Sequence, residues 1–123
     1  MKIQAIDHVS LYVRSTDRVK EFYRTVLAMT VTEGSNEDGN YLSVENESVH
    51  FFIVEDSTVT AEFIAKQHLS FVVDQLEPVK IALDKSDIPH ETGTFEGFKF
   101  VNFHWCEWLD PEGIRLECVE HIH

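Results

Sequence analysis

The sequence predicts an α+β protein made of two copies of one strand-helix-strand-strand-strand plan. Three observations predict it. The stretch DHVSLYV at 7–13 is echoed by QHLSFVV at 67–73, and a repeat at this scale reports two equivalent structural units. Each copy is followed by a helical pattern and then by short strand-like runs. The chain has 123 residues, 43% of them hydrophobic and 11% aromatic, enough for one packed domain but not for two independent ones. The expectation is a single domain over 1–123, with module one at about 1–56 and module two at about 66–121. Such a chain is expected to form one sheet system, with helices on one side and a concave face on the other.

The elements follow in order. Residues 3–13, IQAIDHVSLYV, are rich in β-branched and aromatic residues and read as a strand. Ser15 is a candidate N-cap, with Asp17 in the first turn. Val19, Phe22, Tyr23, Val26 and Leu27 then fall on one stripe of a helix that packs on a sheet. Strands are expected near 29–33, 40–44 and 48–55, separated by GSNEDGN and ENE. Residues 56–66 read as a connector. The second module opens with a strand at 67–73, and Pro78 suits the first turn of a helix carrying Val79, Ala82 and Leu83. A strand begins around Ile88, a long one covers 98–109, and the last covers 114–121. Between these two, DPEG at 110–113 fits a type I turn.

Composition also excludes function classes. A formal charge of −12 argues against nucleic acid and against an anionic membrane surface, both of which call for a basic patch. No apolar run approaches the roughly 18 residues that span a bilayer, and no signal peptide is visible at the start. A cytoplasmic protein acting on a small molecule is the expectation. Cys106 and Cys118 read as reduced, partly buried thiols rather than a disulfide framework or zinc pair.

The duplication places ligand-capable side chains at equivalent positions. His8 and His68 are sixty residues apart in matching stretches. Aligning VHFFIVE at 49–55 with LECVE at 116–120 sets His50 opposite Glu117. Side chains alternate across a strand, so His8 shares a face with Ile6, Ser10 and Tyr12, while Val9, Leu11 and Val13 turn to the helix. Two histidines and a glutamate on a concave face can hold a divalent metal and leave positions open for substrate. His90, His104, His121 and His123 have no such symmetry.

The stretches IDHVSLYV, RVKEFYRTVLAM, QHLSFVVD and DPEGIRLECVE together resemble the vicinal oxygen chelate superfamily. That group contains glyoxalase I, fosfomycin- and bleomycin-resistance proteins and extradiol dioxygenases. Ala28 stands where the family usually has glycine after the helix. The resemblance implies paired βαβββ modules that form an open, cup-shaped mixed sheet around a metal, with helices on the outer face. It implies His8, His68 and Glu117 as ligands, with His50 at the more variable fourth position. The metal is expected to be Zn, Ni, Co, Mn or Fe, and family members usually pair as homodimers. The nearest chemistry is a glyoxalase I-like lyase or isomerase, in which the metal stabilises an enediolate-like oxyanion and Glu117 serves as ligand and base. Arg115 is expected to anchor an acidic substrate group. Three alternatives remain: an Fe(II) extradiol dioxygenase, a fosfomycin-type thiol transferase, and a non-catalytic binder of antibiotics or other small molecules. Tyr12, Trp105 and Trp108 would line the cup for such a binder or for a substrate.

Overall fold

The computed structural model describes residues 1–97 and 102–122. The element order is β1 (Val9–Val13), α1 (Lys20–Thr25), β2 (Thr30–Asn36), β3 (Gly39–Glu45), β4 (His50–Glu55), α2 (Ala61–Lys66), β5 (His68–Val72), α3 (Glu77–Lys85), β6 (His90–Phe95), β7 (Asn102–Leu109) and β8 (Arg115–Ile122). The repeated plan is therefore present, and the expected connector contains a short helix. The expected strand at 98–109 begins in residues 98–101, which lie outside the described residues, as does His123. The chain divides into two compact units, Met1–Ile64 and Ala65–His123.

The first unit is an open four-stranded sheet in the order β1-β4-β3-β2. β1 runs parallel to β4, and the remaining pairs are antiparallel. Alternation along β1 decides what is buried. Leu11 and Val13 lie in the core, while Ser10 and Tyr12 turn the other way. The buried stripe of α1, Phe22 and Tyr23, meets that core face, with the Tyr23 ring edge-on to Phe51 at 5.8 Å. Two expectations shift here. The strand starts at Val9 rather than residue 3, so His8 immediately precedes it. The helix starts at Lys20 behind a turn, with Val19 rather than Ser15 at the N-cap position and the Thr16 carbonyl accepting from the Val19 and Lys20 amides.

The second unit repeats the topology as β5-β8-β7-β6, with β5 parallel to β8. Its core joins Leu76, Leu83, Cys106, Trp108, Ile114, Leu116 and Cys118. Charges on Lys80 and Asp84 of α3 act on Cys106, which places that thiol on the helical side. The N–H of Leu76 donates to Glu120 Oε1 at 2.8 Å, tying the start of α3 to β8. Trp108 is 2% exposed and belongs to this core. It does not line the opposite face, because it is in phase with Cys106 and not with Trp105. Among the described residues, no helix is long and apolar enough to cross a membrane.

Candidate metal centre

Register decides which side chains meet. In the first unit Ser10 pairs with Phe52, and in the second Ser70 pairs with Glu117. The position matching Glu117 is therefore Phe52. His68 pairs with Arg115, while His8 and His50 stand one residue before the Val9–Phe51 pair, so His50 matches Arg115. The alignment read from the sequence is off by two residues. It matched the two strands by their apolar runs, whereas the backbone ladder between parallel strands sets the true correspondence.

In the second unit a donor cluster forms on the sheet face away from α3. His68 opens β5, and its Nε2 lies 3.5 Å from Glu117 Oε1 and 3.9 Å from Glu107 Oε2. Glu107 and Glu117 are direct cross-strand partners on β7 and β8. One donor atom from each of the three residues lies within 4.8 Å of the others. Like charges placed directly opposite repel, and the pair is partly offset by Arg115. Its Nε and Nη2 donate to Glu107 Oε1 at 3.2 and 3.0 Å, and Nη2 also reaches Oε2 at 3.2 Å. Arg115, expected to meet an acidic substrate group, thus forks onto Glu107 and fixes its carboxylate. The side chains of Glu117 and Glu107 are 13% and 25% exposed, sheltered without being closed off.

The first unit carries a different set at the matching positions. His8 Nδ1 is 2.7 Å from Asp7 Oδ2, and that hydrogen bond holds the Asp7 carboxyl below its usual range. The His8 ring lies 5.9 Å from His50 and meets Phe52 edge-on at 5.0 Å. His50 Nε2 is 3.0 Å from Ser43 Oγ. Tyr12, 36% exposed, packs near Phe63. Among the described residues, His68 and Glu117 come together as expected, and His8 lies beside His50. Glu107 is a third donor, outside the ligand set expected from the sequence. Period-2 alternation with Trp105 was a signal for its face, but only the β7–β8 register sets it against Glu117.

A cavity of about 360 Å3 in the first unit is lined by Ser10, Asn36, Asn40, Tyr41, Phe52 and Val54 among others.

Residues 5–118 match the family model described as Glyoxalase/Bleomycin resistance protein/Dioxygenase superfamily. No curated protein matches the chain. Among solved structures, a glyoxalase family protein from Enterococcus faecalis is 24% identical with a TM-score of 0.78, covering 98% of this chain and 100% of that one. A lactoylglutathione lyase from Agrobacterium tumefaciens is 18% identical with a TM-score of 0.74, covering 97% and 95%. TnmS3, an antibiotic-binding protein from a Streptomyces species, is 14% identical with a TM-score of 0.77, covering 99% of each chain. At these identities the likeness is one of fold.

Proposed function

This chain belongs to the Glyoxalase/Bleomycin resistance protein/Dioxygenase superfamily, and we propose that within it the protein is a metal-dependent enzyme for a small molecule, a lyase or isomerase of glyoxalase I-like chemistry. One observation carries the reading: an imidazole nitrogen of His68 converges with the carboxylates of Glu107 and Glu117. One nitrogen and two carboxylate donors fit a divalent ion such as zinc, nickel, cobalt, manganese or iron, and three protein donors leave positions for substrate. A bound ion of this kind supplies Lewis acidity to two neighbouring substrate oxygens and stabilises negative charge developing there.

The protein's own groups do the rest. Glu117 is a ligand and the proposed base, taking a carbon-bound proton from the substrate and returning it to the neighbouring position. Glu107, directly opposite, gives the second carboxylate that such a proton shuttle calls for, and Arg115 holds it in place. Tyr12 is kept as a proposed substrate contact, whereas Arg115, expected to be one, acts through Glu107. His8 enters the ligand set on the resemblance alone, whereas His50, which matches Arg115 and not Glu117, has lost the correspondence that suggested it. The proposal extends to a cytoplasmic homodimer, which light scattering checks.

Elemental analysis of purified protein tests the metal directly. One equivalent of divalent metal is expected in the wild type, with a loss of about tenfold or more in His68→Ala and Glu117→Ala. His8→Ala and His50→Ala are measured beside them. A wild type that neither retains nor takes up metal sinks the reading. For substrate, methylglyoxal hemithioacetal is assayed alongside catechols and fosfomycin with a thiol. Oxygen-sensitive iron with catechol turnover would point to the dioxygenase. A second reading, a non-catalytic binder, is favoured by the cavity of the first unit, where Tyr41 and Phe52 stand among polar residues, and a metal-free protein that takes up small organic ligands would support it.

A further inference from the structure

Both units carry the same steric device on the face away from their helix. In the second unit Gly93 on β6 pairs with Trp105 on β7, and a Cβ built on Gly93 would meet Trp105 Cζ2 at 2.5 Å. The indole therefore lies flat over the glycine, against the sheet. In the first unit Tyr41 lies over its cross-strand partner Gly34 in the same way. The units differ in the neighbouring row. Beside the Tyr41 platform stand Ser43 and Phe52, whereas beside Trp105 stand Glu107 and Glu117. Only the second unit, among the described residues, sets a flat aromatic surface next to paired carboxylates and a histidine.

The spacing is that of a small molecule. Trp105 and Glu107 are two residues apart on β7, about 6.6 Å along the strand, and neighbouring strands are about 4.8 Å apart. The Trp105 row continues through Val119 to Val72, which is 67% exposed. Apolar side chains thus flank one side of the carboxylate row. A molecule whose oxygens meet the cation site has, one row away, an indole that sheet geometry holds flat. A single ring spans that distance, and aromatic faces favour offset stacking.

We propose that the second unit is a two-part seat, and that its substrate carries two neighbouring oxygens at one end and a flat, apolar ring at the other. Trp105 is the residue that selects for the ring, and Gly93 is the positioning residue that keeps the indole flat. This rests on the metal-site reading above, since the oxygen end is placed by the cation.

The test uses two chelating probes that differ in the ring alone, acetohydroxamate and benzohydroxamate, titrated into full-length protein carrying one equivalent of nickel. Each affinity is divided by that for free nickel, and melting temperature and retained nickel are measured on every variant. Wild type is expected to prefer benzohydroxamate by about tenfold. Trp105→Ala is expected to reduce the preference to under about threefold, Trp105→Phe to keep most of it, and Gly93→Ala to lower it with nickel still bound. Equal normalised affinities in the wild type, or a preference that survives Trp105→Ala, would overturn the two-part seat while leaving the metal centre standing. Failure to hold nickel or any of zinc, cobalt, manganese and iron, or probe binding that ignores the bound metal, would overturn the metal reading and this inference with it.

Discussion

Replacing Asp110 with alanine should unfasten the turn that delivers Arg115 and Glu117 to the site. Asp110 is 4% exposed, and its Oδ1 accepts from the amides of Glu112, Gly113 and Ile114 at 2.8, 2.9 and 3.0 Å. Its backbone N–H also donates to the Ile114 carbonyl, closing the loop between β7 and β8. In Asp110→Ala the buried Ile114 amide loses its partner, which costs about 1–3 kcal/mol, while the part-buried Glu112 amide turns to water and the Gly113 amide is left with the Asp110 backbone carbonyl alone, at about 0.5 kcal/mol each. The sum is about 2–4 kcal/mol. Unfolding entropy near 2.1 cal/mol/K per residue gives about 0.26 kcal/mol/K for 123 residues, so the melting temperature should fall by about 8–15 °C. Asp110→Asn keeps an oxygen acceptor and loses its charge, and should fall by only about 4 °C. Calorimetry on the three proteins is the assay. An alanine variant within 2 °C of wild type, or an asparagine variant as unstable as alanine, would refute the argument.

Ala28 sits at φ 52°, in the left-handed region, where the resembled family usually has glycine. Ala28→Gly relieves about 1–2 kcal/mol of backbone strain and adds back about 0.5–1 kcal/mol of unfolded-state entropy, so the melting temperature should rise by up to about 6 °C; a drop would contradict the strain. Arg115→Ala should weaken metal binding by about 10–100-fold in calorimetric titration without removing a ligand, because Glu107 loses the fork that orients it, and Arg115→Lys should recover part of that affinity. Burial pushes the Cys118 thiol up to about 12 from 9.0, with the neighbouring Cys106 and Glu117 adding to it. A folded pKa above the unfolded one means this contribution to stability is whole below pH 9 and is lost as pH rises from 9 toward 12. The urea midpoint should therefore decline more steeply above pH 9 in wild type than in Cys118→Ala. Equal slopes would remove the cause assigned here.

The amino-acid sequence by itself determined the repeated plan, the helical stripe of Val19, Phe22 and Tyr23, and the alternation of faces along β1, although Trp108, expected beside Trp105, belongs to the core. These are local periodicities, written by the alternation of a strand and the 3.6-residue turn of a helix, and they survive in any register. For that reason His68 and Glu117 were legible as candidates, and so was the DPEG turn that aims Glu117. What only tertiary structure decided was which strand positions stand side by side. The parallel β5–β8 and antiparallel β7–β8 ladders put Glu107 against Glu117, forked Arg115 onto it, and made Phe52 rather than His50 the counterpart of Glu117. The same ladders laid Trp105 over Gly93. Pairing between strands far apart in the chain depends on backbone hydrogen bonds common to every residue, so a slip of two positions leaves the hydrophobic pattern unchanged while it exchanges every partner across the sheet.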